Sequence, residues 1–174
     1  MAGARLELTG AEETLGVLGD AIARTDDKRG LFDAIGASLV LSTQQRFERE
    51  EDPEGNPWPD SLRKTLMGGR TLTDTAALVS SITHAATENS VAVGTNVIYA
   101  AIHQTGGTIR AKTSRGLRFR SPGNGGWVTK QEVTMPRRAF LGLDNDDEAE
   151  IRALCADWLG AVDDAATGGT DARR

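Results

Sequence analysis

Val97 to Gly107 reads V-I-Y-A-A-I-H-Q-T-G-G, and Met135 to Leu143 reads M-P-R-R-A-F-L-G-L. Two compact apolar motifs bracket a segment that is cationic and rich in turn residues. That segment is too polar to be core. Its own pattern is one of alternation, which places successive side chains on opposite faces of a strand. In T-I-R-A-K-T, from Thr108 to Thr113, Arg110 and Lys112 share one face and Ile109 and Ala111 the other. In L-R-F-R, Arg118 and Arg120 oppose Leu117 and Phe119. Ser121 to Gly126, S-P-G-N-G-G, is a turn, and Trp127 to Thr134 is a third alternating run. Residues 108–134 are therefore expected to form a long β-hairpin arm with one cationic face, rooted by the two apolar motifs.

Working outward, Asn96 is expected to cap a helical turn from Val97 to Gln104, which Gly106-Gly107 stops. Ser81–Thr87 and Ser90–Thr95 read as strands about a turn at Glu88-Asn89, with Val91 and Val93 on one face. Thr71–Ile82 reads as a short helix capped by Thr73 or Asp74, and Ser61–Met67 as one helical turn ended by Gly68-Gly69. Two prolines and a glycine in D-P-E-G-N-P-W, Asp52 to Trp58, end a helix that begins near Lys28. Its inward stripe is Phe32, Ile35, Leu39, Val40, Thr43 and Phe47, with small Gly36 permitting close approach. Its last turns, R-F-E-R-E-E, read as solvated. Trp58 is expected to close the core beneath the following loop. Further out lie a helix over Ala11–Arg24 and a short strand over Arg5–Thr9. Beyond the arm, a final helix spans Asp144–Ala161 with Ile151, Leu154, Cys155, Trp158 and Leu159 inward. The tail from Asp163 reads as disordered. The fold class is α+β: N-terminal helices and a C-terminal helix on a small antiparallel sheet, in a single domain over 1–162.

The net charge of -5 conceals an asymmetry. Arg110 to Arg138 holds eight basic residues against one acid, Glu132. Asp144 to Glu150 holds five acids (Asp144, Asp146, Asp147, Glu148 and Glu150) and no base. Opposed blocks of this kind steer association; in a closed ring, one protomer's basic arm would meet its neighbour's acidic face. At 174 residues the chain can bury a core without a staple. Cys155 is its only cysteine, which excludes an internal disulfide and a Cys-rich zinc site. No apolar run approaches the ~18 residues of a membrane span. The N-terminus lacks the apolar region of a secretory signal, so a protein made or assembled in a cytoplasm is expected.

No catalytic constellation emerges. His84 and His103 belong to no metal-ligand spacing. There is no nucleophile elbow, Cys155 has no electropositive context, and Gly68-Gly69 lacks the rest of a phosphate loop. No catalytic residue, metal or cofactor is assigned. The arm's arginines suit phosphates, with Phe119 or Trp127 as stacking partners. The chain as a whole is acidic and shows no recognition module.

Four elements in order resemble the phage virion morphogenesis family, which includes Mu-like virion morphogenesis and tail-completion proteins. They are F-E-R-E-E-D-P-E-G-N-P-W (Phe47–Trp58), L-T-D-T-A-A-L-V-S-S-I (Leu72–Ile82), V-A-V-G-T-N-V-I-Y-A-A-I-H-Q-T-G-G (Val91–Gly107) and M-P-R-R-A-F-L-G-L (Met135–Leu143). Asp74-Thr75-Ala76 departs from the family's T-G-x-L element, and Thr105 stands where phenylalanine is common. The resemblance implies a structural virion protein at the head–tail junction or upper tail, assembled in the host cytoplasm as a ring, commonly of six. Implied partners are its own copies, a portal or adaptor connector, tail terminator or tube proteins, and genomic DNA nonspecifically; no membrane is implied. On this view Arg110, Lys112, Arg115, Arg118 and Arg120 line a DNA-filled channel or clasp a neighbour, and Asp144, Asp146, Asp147 and Glu148 form an acidic interface. Trp58, Tyr99, His103, Gln104, Gly106 and Gly107 would hold the fold around the arm's root, with Pro136 to Phe140 returning the chain to the core. The alternative is a standalone nucleic-acid-binding protein using the same arm.

Overall fold

The computed structural model describes residues 3–9, 28–123 and 125–167. These form β1 (Ala4–Thr9), α1 (Arg29–Arg49), α2 (Leu62–Met67), α3 (Ala77–Ser80), β2 (Thr83–Ala86), β3 (Ser90–Thr95), α4 (Ala100–Thr105), β4 (Gly107–Arg110), β5 (Leu117–Arg120), β6 (Trp127–Lys130), β7 (Glu132–Met135) and α5 (Asn145–Thr167). The fold is α+β with small antiparallel sheets, as the sequence predicts. The helix expected over Ala11–Arg24 lies outside the described residues. Contacts cluster in two discontinuous units. One comprises Met1–Arg5, Ser42–Ile82 and Gly94–Gly142, the other Leu6–Leu41, Thr83–Val93 and Leu143–Arg174.

In the second unit, the first half of α1 buries Leu31, Phe32, Ile35 and Leu39, the spacing of one helical face. Gly36 on the same face admits the β2–β3 hairpin. A Cβ there would stand 2.4 Å from the His84 ring and 2.8 Å from Val91 Cγ2. Imidazole Nε2 of His84 pairs with Asp33 Oδ1 at 3.0 Å. In the three-stranded sheet β3 lies between β1 and β2. Val91, Ala92 and Val93 are all buried, so both faces of the central strand are covered, where strict alternation predicts one. Asp144 and Asp147 start α5 with a reciprocal cap: Asp147 N–H donates to Asp144 Oδ1 at 2.8 Å and Asp144 N–H to Asp147 Oδ2 at 3.1 Å. This satisfies two backbone donors that a helix start leaves open. The helix buries Ile151 and Cys155. Burial raises the Cys155 thiol's pKa, consistent with a packing role. The helix continues to Thr167, through residues the sequence reading gives to a tail.

In the first unit, the second half of α1 buries Thr43, Arg46 and Phe47. The expected solvated end is thus half wrong. Arg46 is only 3% exposed, and its guanidinium donates to the carbonyls of Gly142 at 3.0 Å and Phe140 at 3.4 Å. Charge at a helix end is solvated only where no carbonyls arrive to receive it. Glu50 ends the helix in the left-handed region, φ 58°, while Glu51 N–H reaches back to Arg46 O at 3.2 Å. The geometry is that of a Schellman C-cap, with glutamate where glycine is usual.

The helix expected over Thr71–Ile82 shrinks to Ala77–Ser80, and neither Thr73 nor Asp74 caps it; Ala76 does, at φ 56° and without a side-chain bond. Thr71, fully buried, explains the loss. Its N–H is held by the Glu50 carboxylate and its hydroxyl accepts from Ser61 N–H at 3.3 Å. This anchoring overrides local preference, and Leu72 is turned to φ 62°. Likewise α4 starts at Ala100 rather than after Asn96, because Thr95 Oγ1 takes the Val97 N–H at 3.1 Å.

Candidate assembly surface

The arm is built from two antiparallel ladders. β4 pairs with β7 from Gly107↔Met135 to Arg110↔Glu132, and β5 with β6 from Leu117↔Lys130 to Arg120↔Trp127. The run Trp127–Thr134 is therefore not one strand. Six residues, 111–116, stand opposite the single Gln131, whose carbonyl accepts from Ala111 N–H at 2.8 Å. Gly116 closes this bulge at φ 77°, where any Cβ would stand 2.7 Å from Thr129 Cγ2. An excess on one strand bends a hairpin and strengthens its twist.

The bulge divides the cationic face. On the inner ladder Arg110 faces Glu132, with Nε 3.4 Å from the carboxylate, so its charge is matched locally. On the outer ladder Arg118 lies over the Trp127 ring at 4.3 Å, and Arg120 is the cross-strand neighbour of Trp127. Lys112, Arg115 and Arg120 are exposed and form no ion pair among the described residues. The acidic block divides too. Asp147 is buried, and it and Asp144 serve the α5 cap. Glu148 pairs with Arg152 at 2.9 Å, and Asp146 and Glu150 are exposed. Of the four acids expected at an interface, Asp144 and Asp147 thus bond the backbone at the start of α5.

The opposite face of the arm is apolar and does not project freely. Ile109, Val133 and Met135 of the inner ladder and Leu117 and Phe119 of the outer one border a groove of about 690 Å³. Leu62 of α2 also lines it, as do the charged side chains of Asp60, Arg118, Lys130 and Arg138. Near the tip, a Cβ at Gly123 would stand 3.3 Å from Leu66 Cδ1, so the turn rests against α2. No residue of α2 is buried; Leu62 is 59% and Met67 66% exposed. The sequence reading placed a helical turn here but gave it no part in a surface, because six residues show little periodicity. The signal was three large apolar residues within six positions of a polar stretch.

The root is rigid. Gln104 clamps the returning chain: its Oε1 accepts from Phe140 N–H at 3.0 Å and Leu141 N–H at 3.1 Å, and its Nε2 donates to Leu141 O at 2.7 Å. Gly106, at φ 69°, lets Arg137 approach; a Cβ there would meet Arg137 N at 2.8 Å. Arg138 N–H donates to His103 O at 2.7 Å. The Arg138 guanidinium, buried, donates to Pro59 O at 2.7 Å and Asp60 O at 3.1 Å. Trp58 is buried with its Nε1 donating to Ala139 O at 2.8 Å. Phe47 packs edge-on to Trp58 at 5.3 Å and tilted to Phe140 at 5.2 Å. Tyr99 stands edge-on to His103 at 6.0 Å and stays half exposed. Burial, helped by the Arg138 charge, pushes the His103 pKa down, keeping the ring neutral near pH 7. Trp58, His103, Gln104, Gly106 and Phe140 thus meet at the arm's base. Pro136 is exposed and only leads into that base. Gly107, at φ 138°, opens β4. Arg46 and Glu50 were missed as anchors, because long-range backbone contacts leave no mark on charge patterning.

The model of the phage virion morphogenesis family matches residues 6–160. The chain belongs to this family. It is 32% identical over 154 residues to the Mu-like prophage FluMu G protein 2 of Haemophilus influenzae, covering 88% of this chain and 94% of that one. It is 30% identical over 141 residues to the "Putative capsid assembly protein G" of Escherichia phage Mu, covering 76% of this chain and 80% of that one. No solved structure matches. The family match spans every described element except part of β1 and the end of α5, and so includes the arm and its root. Among the described residues no helix is long and apolar enough to cross a membrane, and no cluster of His, Cys, Asp and Glu is placed to hold a metal ion.

Proposed function

We propose that this chain is a non-catalytic structural component of the virion. It forms a ring, of six copies, at the head–tail junction or the upper end of the tail, and is needed for tail completion and head–tail joining. It acts after assembly in the host cytoplasm, between a portal or adaptor connector and tail terminator or tail tube proteins. The observation that carries this reading is the arm: a long two-ladder hairpin on a densely bonded base, presenting a cationic face and an apolar groove. Membership of a virion morphogenesis family supports it. The arm clasps a neighbouring subunit, the bulge setting the angle between the base and the reaching ladder.

The test is deletion of residues 108–134 with a short glycine link, in a phage or prophage that depends on the chain. Heads and tails that form but do not join are the expected result. Normal infectious particles from the deletion would overturn the proposal. The stacked Arg118–Trp127 pair favours a second reading, in which the outer ladder also touches genomic DNA in the channel. Salt-dependent binding of duplex DNA by the isolated chain, lost in an Arg115→Ala, Arg118→Ala, Arg120→Ala variant, would support that reading. Absence of binding at low salt would remove it.

A further inference from the structure

We infer that the groove between α2 and the arm receives the Val97–Tyr99 turn of a second copy of this chain, in a head-to-tail contact. This deepens the ring reading and rests on it. A head-to-tail interface joins two different patches of the same chain, and only such an interface closes into a ring of more than two. The described residues carry nine large exposed apolar side chains. Six of them, Leu62, Leu66, Met67, Ile109, Phe119 and Trp127, belong to α2 and the arm. Of the other three, Leu41 sits singly on α1, while Ile98 and Tyr99 are adjacent on one turn. That turn is the apolar patch available outside the groove and its surroundings.

The two surfaces match in kind. Ile98 is 79% exposed, yet its turn is fixed: Thr95 Oγ1 accepts from Val97 N–H at 3.1 Å and Ala100 N–H donates to Val97 O at 3.0 Å. A fixed exposed isoleucine is a knob that loses little freedom on docking. The stretch Ser90–Ile109 has no Asp, Glu, Lys or Arg, so inserting it brings no formal charge into the apolar walls. The groove lining, by contrast, includes the cation Lys130, while Arg118 of the same lining already lies over Trp127. A tyrosine beside the inserted isoleucine supplies the electron-rich ring that such cations attract. The pairing is then Ile98 into the pocket of Leu62, Leu117 and Phe119, with Tyr99 beside Lys130.

The test uses the full chain. Cys155 is buried, so a short bismaleimide has little native background. Ile98→Cys and Leu62→Cys are prepared singly and mixed. Cross-linked dimer in the mixture, absent from either variant alone, is the expected result. Ile98→Asp should weaken self-association by about tenfold or more, with the monomer's circular dichroism unchanged. A chain that forms rings but gives no cross-link, and whose rings tolerate Ile98→Asp, overturns this contact and leaves the ring standing. Cross-linking of Ile98→Cys to itself overturns it in favour of a two-fold contact. Single copies in purified particles, with no cross-link, overturn both the contact and the ring.

Discussion

Glu50 holds a backbone conformation that costs a non-glycine residue roughly 1 kcal/mol or more. Its side chain offsets that cost. The carboxylate accepts from Lys64 Nζ at 2.8 Å and from the Thr71 N–H, fixing the segment after α2 to the end of α1. Burial alone would raise its pKa, but these donors together hold it below its ordinary 4.5. A depressed carboxyl stabilises the fold above its unfolded pKa, and the benefit is lost as pH falls through the folded value. Glu50→Gln should therefore lower stability by about 1–2 kcal/mol at pH 7, and the gap to the wild type should narrow as pH falls below the ordinary 4.5. Chemical denaturation across pH 3–8 measures both. Gln104 offers a second test. Alanine there strands two amide donors and one carbonyl, and should cost about 2–3 kcal/mol. Gln104→Glu keeps both acceptances but cannot donate to Leu141 O, and should cost less than alanine at pH 7.

Elements show where the sequence was legible. α1 was readable because Phe32, Ile35, Leu39, Thr43 and Phe47 recur at spacings of three and four and are all buried. Gly36 was readable as a close approach. Gly36→Ala should cost about 1–3 kcal/mol by overpacking, and Gly36→Ala with His84→Ala should recover part of it, as a double-mutant cycle in thermal unfolding would show. The arm's existence was readable from alternation and its turn. Its bulge was not, since a period of two reads the same on either side of Gln131. The failure at Thr71–Ile82 has a different cause. Its pattern suits a helix, but Thr71 is claimed by Glu50 and Ser61, and no local rule anticipates a partner 21 residues away. At the root, sequence identified Gln104 and Trp58 but not what they hold, because both bond backbone rather than side chains. The cap formed by Asp144 and Asp147 was not legible in the acid block, because a helix cap and a surface patch draw on the same residues.

At the level of the whole molecule, an acidic chain of net charge -5 carries a basic arm. The arm's exposed cations are poor contributors to its own stability, because exposed charges are well solvated. Replacing Arg115, Arg118 and Arg120 with alanine should change monomer stability by less than about 0.5 kcal/mol per site, while reducing assembly into particles. The two readouts, thermal unfolding and incorporation into virions, should separate. Equal loss of both would mean that these arginines serve the fold instead. If the clasp is partly electrostatic, association should also weaken as ionic strength rises.

The bonds that hold the arm's root also impose an order in time. Arg46 meets Gly142 across 96 positions, and Trp58 meets Ala139 across 81. During synthesis, then, Phe47 and Trp58 have no Phe140 or Ala139 to pack against until the whole arm has been made. Nascent chains shorter than that expose two large rings to whatever else is in the cell. The base on which the arm stands is complete only after the last apolar motif has returned to the first, so a half-made chain carries an arm without its footing.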